Sequence, residues 1–109
     1  MENIQILNLF FKAENERDWI SYKKFLSPYI VWELHSEHIR KIEGIENYLN
    51  TIKSAYEGNS NTFEIESIVS SKDSSRIVSV LVNKSGERSC DIFEFDNGVI
   101  VREYEFILG

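Results

Sequence analysis

The chain has few of the residues that would tie it to a nucleic acid, a membrane or an oxidising compartment. Its 109 residues include one cysteine, Cys90, so no intramolecular disulfide can form. The chain has 12 Lys and Arg residues and 18 Asp and Glu residues, and the net charge of −6 disfavours binding to nucleic acid and to anionic membranes. No apolar run reaches membrane-spanning length, and the N-terminus lacks the pattern of a signal peptide. We therefore expect a soluble cytoplasmic protein that binds neither nucleic acid nor membrane.

Residues typical of cofactor sites are scarce as well. The five glycines are scattered at predicted turns and form no phosphate-binding loop. The segment HSEH places His35 and His38 three residues apart, but no cysteine or further histidine accompanies them, and a metal site needs at least three convergent ligands. We expect this segment to be a surface loop, and we expect neither a metal nor another cofactor.

What the sequence has in quantity is apolar and aromatic side chains. Hydrophobic residues make up 42% of the chain and aromatic residues 13%. The length predicts one domain over residues 1–109, long enough to bury a core. The aromatic share is compatible with a cavity lined by rings and equally with a plain aromatic core.

Hydrophobic periodicity divides the chain into two halves. Apolar residues at helical spacing predict a helix that ends near ENERD, whose acidic residues we expect on solvated faces. Asp18 predicts the N-cap of a second helix that ends before Pro28, YIVWELH is typical of a strand, and IEGIENYLNTIKSAYEG predicts a third helix. TFEIESIVSS, SRIVSVLVNKSGE and a closing hairpin predict four more strands. This order indicates an α+β fold with helices covering one face of an antiparallel sheet.

Three segments in this order resemble the nuclear transport factor 2-like superfamily: AENERDWISYKKFLSPYIVWELHS, IEGIENYLNTI and DIFEFDNGVIVREYEF. By appearance, the SnoaL-like polyketide cyclases and the ketosteroid isomerases are the nearest members. The resemblance implies a cone-shaped curved antiparallel sheet wrapped around three N-terminal helices, also called cystatin-like, with an internal pocket. It also implies a homodimer, although many members have no known activity.

The closing hairpin carries three carboxylates whose direction depends on the register. If DNG is a three-residue loop, Phe95 pairs with Val99, and Asp91 faces Glu103 on the same surface as Glu105. If Asn97–Gly98 is a two-residue turn, Asp91 falls opposite Tyr104 instead, because a slip of one residue reverses the faces. The resemblance favours the three-residue loop. In that register the carboxylates point into the cone, and Ile92, Ile100, Tyr104 and Phe106 form an apolar outer face suited to a dimer interface.

Asp91 and Glu103 are the candidate acid–base pair. Two carboxylates facing each other in a partly apolar cavity keep a proton between them, so one can donate to a carbonyl while the other accepts a proton. The position of Asp91 resembles the oxyanion-donor aspartate of ketosteroid isomerases. The family's first-helix tyrosine and general base are replaced here by Phe10 and Leu34, so that mechanism is not expected. The alternative is that Glu103 and Glu105 are solvated at the mouth or paired with basic residues such as Arg88.

The other candidates are residues expected to line the pocket or its mouth. Candidate ligand-binding residues are Trp32, Leu34, Tyr22, Tyr48, Phe93 and Glu105. His35 is a candidate acid–base group at the mouth, because its ordinary pKa of about 6.5 suits that role. For Trp32 and the tyrosines, simple core packing is the competing interpretation.

Three functional hypotheses follow from these residues. The first is a module that binds a small apolar or aromatic molecule. The second is an isomerase, cyclase or dehydratase acting at Asp91 with Glu103. The third is a purely structural dimerisation domain, for which a closed, dry cavity is expected.

Overall fold

The computed structural model describes residues 1–109 and contains three helices and six strands. Their bounds are α1 Asn3–Glu16, α2 Trp19–Lys24, β1 Leu26–His35, β2 Ile39–Glu43, α3 Ile45–Ala55, β3 Phe63–Ser70, β4 Arg76–Asn83, β5 Arg88–Asp96 and β6 Val99–Ile107. The α+β class is confirmed, and so are the predicted helices. The strand β2 was not predicted; of the segment HSEH, His35 ends β1 and residues 36–38 form the turn between β1 and β2.

The six strands form one sheet in the order β2-β1-β6-β5-β4-β3. Four of the five neighbouring pairs are antiparallel, as expected, but β1 and β6 are parallel. These two strands are the first and the last along the chain. The long connection between them allows either a parallel or an antiparallel pair, whereas a hairpin allows only an antiparallel one.

Capping interactions define the start and end of α1 and the start of α2. Glu2 and Gln5 form a capping box at the start of α1, and Asp18 caps α2 by accepting a hydrogen bond from the backbone N–H of Ser21 at 3.2 Å. Arg17 ends α1 in the left-handed conformation, with φ at 59°. Its guanidinium donates to the backbone oxygen of Asn61 at 2.7 Å, which ties the end of α1 to the segment after α3.

The turn of the closing hairpin differs from the one the resemblance favoured. Asn97 and Gly98 both have positive φ, 51° and 77°, and Asp96 pairs with Val99 across them. This is the two-residue turn, whose geometry suits Asn-Gly because Gly tolerates positive φ without cost and Asn tolerates it better than most residues. The expected three-residue loop, with Phe95 opposite Val99, is therefore wrong.

A bulge directly after the turn restores the parity that the turn alone would have reversed. The register shifts by one between Phe95 and Glu94, so Val101 is an extra residue on β6. Beyond it Phe93 lies opposite Glu103, and Asp91 lies opposite Glu105 rather than Glu103. The predicted partner of Asp91 is wrong, but the prediction that the carboxylates share the face of the aromatic residues is confirmed.

The same bulge moves one residue off the outer face of the sheet. Ile100 was expected there, but it precedes the bulge, pairs with Phe95 and is fully buried. Ile92, Tyr104 and Phe106 remain partly exposed, as the parity predicts.

An aromatic core joins α1 to the inner face of the sheet. The ring of Phe93 lies 5.9 Å from that of Phe10 and 5.5 Å from that of Phe11, and Phe11 meets Phe63 edge-on at 5.3 Å. Such edge-to-face pairs add to the stability gained from burying the rings.

None of the three helices is long and apolar enough to cross a membrane.

Candidate functional site

A cavity of about 830 Å³ lies within the cone and opens to solvent. Its apolar wall includes Phe11 of α1, Trp32 and Leu34 of β1, and Phe93 of β5. Trp32 and Phe93 belong to both the core and the cavity wall, because they line the cavity and are also nearly fully buried. The cavity touches both Trp32 and Asp91, so the aromatic wall and the carboxyl groups belong to one site.

Asp91, Glu103 and Glu105 lie together on the face of β5 and β6 that points into the cavity, and we call them the acid cluster. Their side-chain oxygens lie within 4.8 Å of one another, and all three residues line the cavity. Asp91 and Glu103 each expose only 4% of their surface. The alternation of β5 and β6 explains the arrangement, because every second side chain of each strand points inward.

Each acid has one hydrogen-bond donor from the protein and no basic partner. Ser89 Oγ donates to Asp91 Oδ1 at 2.6 Å, Trp32 Nε1 donates to Glu105 Oε1 at 3.1 Å, and the Tyr48 hydroxyl donates to Glu103 Oε1. None of the protein's salt bridges includes a member of the acid cluster.

The expected alternative is wrong for Glu103, which is buried, and neither Glu103 nor Glu105 pairs with a basic residue, whereas Glu105 stays partly exposed at the cavity. Arg88, the candidate partner, pairs with Glu66 on β3 at 3.0 Å. Asp91 and Glu103 are buried and Glu105 is partly buried at the cavity wall, and no salt bridge compensates the charge of the cluster.

Burial makes the three carboxyl groups of the acid cluster weaker acids than they are in water. Burial, followed by the charge of Glu105, raises the pKa of Asp91 well above its ordinary value. Burial, followed by the charges of Glu105 and Asp91, does the same for the pKa of Glu103. Burial raises the pKa of Glu105 to about 7, and the hydrogen bond from Trp32 opposes this rise. At neutral pH the cluster therefore contains both protonated and ionised carboxyl groups, which can donate and accept hydrogen bonds.

The acid cluster is also a group of three residues whose oxygens lie close enough together to hold a metal ion. A hard cation would require its carboxylates to be deprotonated, whereas burial favours protonation of all three. Burial therefore favours the chemistry of carboxylic acids over the binding of a cation at this cluster.

Two of the proposed ligand-binding residues lie behind the cavity wall. Tyr22 and Tyr48 expose 0% and 1% of their surface and do not line the cavity. Their hydroxyl groups, 3.2 Å apart, bond to each other and to carboxyl groups. Direct contact of either tyrosine with a ligand is contradicted, because their polar ends are used within the core.

His35 is not part of the site. Since Trp32 and Leu34 face the cavity, alternation along β1 sends Glu33 and His35 to the opposite face of the sheet. There the His35 ring stacks on Phe106 at 4.6 Å and its Nε2 lies 2.7 Å from Glu33 Oε1. The expectation that His35 serves as an acid–base group at the mouth is therefore wrong.

Glu14 is a site residue that the sequence analysis missed. It was expected on a solvated face, yet it lines the cavity and accepts hydrogen bonds from Tyr22 at 2.8 Å and from Tyr56. A signal was present, because Glu14 lies four residues after Phe10 and three after Phe11 and therefore shares their helical face. The polar run ENERD obscured this spacing.

No protein-family model and no curated protein sequence matches the chain. Solved structures do match. Bal32a, from a soil-derived mobile gene cassette, is 18% identical with a TM-score of 0.83, and the match covers 97% of this chain and 88% of that one. A candidate ketosteroid isomerase from Kribbella flavida is 15% identical with a TM-score of 0.83 and 98% and 76% coverage. A candidate SnoaL-like polyketide cyclase from Jannaschia sp. CCS1 is 15% identical with a TM-score of 0.81 and 95% and 83% coverage.

Other matching structures are described as cystatin-like or NTF2-like proteins of unknown function. At these identities the matches establish the fold alone. The chain has the cone-shaped nuclear transport factor 2-like, or cystatin-like, fold that the resemblance implied.

Proposed function

We propose that this protein binds a small apolar or aromatic molecule in its cavity, with the polar end of that molecule at the acid cluster. The observation that carries the proposal is an open cavity with an aromatic wall that ends at buried carboxyl groups. Small-molecule sites are typically concave and mostly apolar, occupy roughly 300–1,000 Å³, and contain a few polar groups that orient the ligand. A cavity of about 830 Å³ falls within that range.

The acid cluster narrows the chemistry of the polar end. Its protonated members can donate a hydrogen bond to a carbonyl or hydroxyl oxygen. Its ionised members repel an anion, and no lysine or arginine forms a salt bridge with the cluster to compensate them. The proposed ligand is therefore a neutral molecule with a hydrogen-bond acceptor at one end, such as an aromatic ketone.

Two probes with the same ring skeleton test this proposal. α-Tetralone is a bicyclic aromatic ketone, and tetralin is the same skeleton without the oxygen. We expect the ketone to bind about three- to tenfold more tightly than the hydrocarbon at pH 6, the usual worth of one hydrogen bond. The advantage should shrink at pH 8.5, as Glu105, with its pKa of about 7, loses its proton.

Intrinsic fluorescence and calorimetry can measure both affinities. Trp32→Ala is the variant expected to weaken binding, and Trp19→Ala is its control, because Trp19 does not line the cavity. Failure of both probes to bind at millimolar concentration would contradict the proposal, and so would equal affinity in both variants.

A second candidate is an isomerase, cyclase or dehydratase that uses Asp91 with Glu103. Buried acids with raised pKa values are frequent at catalytic sites, and proteins of this fold include candidate ketosteroid isomerases and polyketide cyclases. A protonated acid of the cluster would hold the carbonyl oxygen while an ionised one removes a proton from the adjacent carbon. Phe10 and Leu34 stand where ketosteroid isomerases have their tyrosine and general base, so the reaction proposed is enolisation by the cluster itself.

The same ketone tests this second candidate. An enolising site exchanges the protons next to the carbonyl of α-tetralone with deuterium from the solvent, and proton NMR follows their loss. We expect exchange above the buffer rate with the unmodified protein and not with Asp91→Asn. Exchange at the buffer rate in the presence of saturating protein would leave binding as the only role.

We also propose a homodimer, formed through the outer face of β5 and β6, and a cytoplasmic location for a single domain of residues 1–109. Ile92, Tyr104 and Phe106 are only partly buried on that face, which supports a partner there. The purely structural dimerisation domain receives less support, because its closed, dry cavity differs from the open one observed.

A further inference from the structure

Two buried tyrosines connect the acid cluster to a fourth carboxyl group, that of Glu14 on α1. Glu103 Oε1 bonds to the hydroxyl of Tyr48, which lies 3.2 Å from the hydroxyl of Tyr22, which in turn lies 2.8 Å from Glu14 Oε1. We call these four residues the tyrosine relay. They come from α1, α2, α3 and β6, so the relay crosses the interior from helix to sheet.

The number of protons in the relay follows from its geometry. Three oxygen–oxygen contacts link the four groups, and each needs one proton to be a hydrogen bond. The two tyrosines supply one proton each, because burial keeps their pKa values well above the ordinary value of 10. The third proton must come from a carboxyl group. The relay is therefore complete when either Glu14 or Glu103 is protonated and the other is ionised.

Of the two carboxyl groups at the ends of the relay, Glu14 has the surroundings that better stabilise an anion. Its two oxygens accept hydrogen bonds from different tyrosines, Tyr22 and Tyr56, and the guanidinium of Arg17 lies 3.8 Å from the centre of the Tyr56 ring. Burial raises the pKa of Glu14, but both hydrogen bonds and the charge of Arg17 lower it in part. An anion with two donors and a nearby cation is the better stabilised end of the relay.

The surroundings of Glu103 favour its protonated form. Its only hydrogen-bond partner in the protein is Tyr48, and it faces the two other acids of the cluster, Asp91 and Glu105. No salt bridge offsets these like charges. In the resting relay the proton therefore lies on Glu103 and the negative charge on Glu14.

We propose that the tyrosine relay holds one transferable carboxyl proton, and that Glu14 is a positioning residue that sets whether Glu103 presents an acid or an anion to the cavity. Transfer moves the Glu103 proton to the oxygen of Tyr48, the former Tyr48 proton to Tyr22, and the former Tyr22 proton to Glu14. No proton enters or leaves, and the negative charge moves from Glu14 to Glu103. The inference goes beyond the proposed function, because it holds whichever molecule the cavity takes.

The test measures the protonation of Glu103 in the ligand-free protein. Infrared spectroscopy detects the carbonyl stretch of a protonated carboxyl group, and loss of the band in Glu103→Gln assigns it. Glu14→Gln removes the anion at the far end and should lower the pH midpoint of the Glu103 band by about one unit or more, a tenfold change in proton affinity. Glu16→Gln, an exposed residue on the same helix, should leave the midpoint unchanged. Equal midpoints in Glu14→Gln and Glu16→Gln would overturn the proposal.

A double-mutant cycle separates the relay from a direct effect of charge. Tyr22→Phe removes the middle of the relay, so in that background Glu14→Gln should shift the midpoint much less than in the unmodified protein. The same shift in both backgrounds would show that only the through-space charge of Glu14 matters, and would overturn the proposal.

Circular dichroism checks that each variant folds. If Glu14→Gln does not fold, Tyr22→Phe alone decides the matter, because Tyr48 then gives its proton to Glu103 and stabilises the anion. The midpoint of Glu103 should fall in Tyr22→Phe, and an unchanged midpoint would overturn the relay.

Discussion

The protein should lose stability as the pH rises from about 5 to about 8, because its acid cluster binds protons more tightly in the folded chain than in the unfolded chain. Burial raises the pKa of Glu105 from 4.5 to about 7 and that of Asp91 and Glu103 well above their ordinary values. Such a group stabilises the fold fully below its unfolded-state pKa. Its contribution is lost as the pH rises through the folded-state pKa.

The magnitude for Glu105 follows from its shift. At about 1.4 kcal/mol per unit of pKa, a rise from 4.5 to about 7 corresponds to about 3 kcal/mol of unfolding free energy. For a domain of this size that is about 10 °C or more in the melting temperature. Asp73 acts in the opposite direction, because hydrogen bonds from Ser75 and Ser71 lower its pKa to about 2, but its contribution is lost only below about pH 4.

Thermal unfolding followed by circular dichroism between pH 5 and 8.5 measures this dependence. Glu105→Gln should flatten the curve and raise stability at pH 8, since Gln still accepts the Trp32 hydrogen bond. Glu64→Gln, an exposed control on β3, should follow the unmodified protein. A stability that rises between pH 5 and 8, or a curve that Glu105→Gln leaves unchanged, would refute the reasoning.

Three further predictions concern the wall, the outer face and the cluster. Trp32→Ala should weaken the binding of α-tetralone at least several-fold more than Trp19→Ala, and equal losses in a fluorescence titration would contradict this. The protein should be a dimer by light scattering at micromolar concentration, and Tyr104→Glu should make it a monomer; a strict monomer without the substitution would end the dimer proposal. Asp91→Asn should fold and melt at a higher temperature than the unmodified protein at pH 8, because Asn still accepts from Ser89 without a charge to bury; a lower melting temperature would count against a buried acid.

Most of what the sequence could predict about the site followed from the alternation of side chains along a strand. Phe93 and Phe95 must be buried, and Asp91 lies on the same side of β5, so its inward direction followed from alternation alone. The pairing of Asp91 with Glu105 did not follow. It depends on a bulge at Val101, and a β-branched residue in the middle of a strand gives no local sign of an extra residue.

The elements that escaped prediction have weak local signals. The strand β2, with the sequence IRKIE, is short, mostly charged and at the edge of the sheet, and its only buried residue is Ile42. Glu14 was hidden in a polar run although its spacing from Phe10 and Phe11 placed it on the buried face of α1. His35 could have been excluded from the cavity by the same alternation that placed Trp32 inside.

The tyrosine relay lay beyond sequence reasoning for a different reason. Tyr22 and Tyr48 were predicted either to contact a ligand or to pack in the core, and a buried hydroxyl is rarely left without a partner. Which partners they take depends on how three helices meet over the sheet. That packing brings Glu14 within 2.8 Å of a tyrosine eight residues away in sequence and joins Tyr48 to Glu103 across 55 residues.

The most direct test of the central claim uses the two indole N–H signals in the proton–nitrogen NMR spectrum of the protein, which has two tryptophans. Trp32 donates its indole N–H to Glu105 at the cavity wall, whereas Trp19 does not line the cavity. Addition of α-tetralone at pH 6 should shift the Trp32 signal, assigned with Trp32→Phe, and leave the Trp19 signal in place. A spectrum in which neither signal moves at millimolar ketone, or in which both move equally, would contradict binding of an aromatic molecule at the acid cluster.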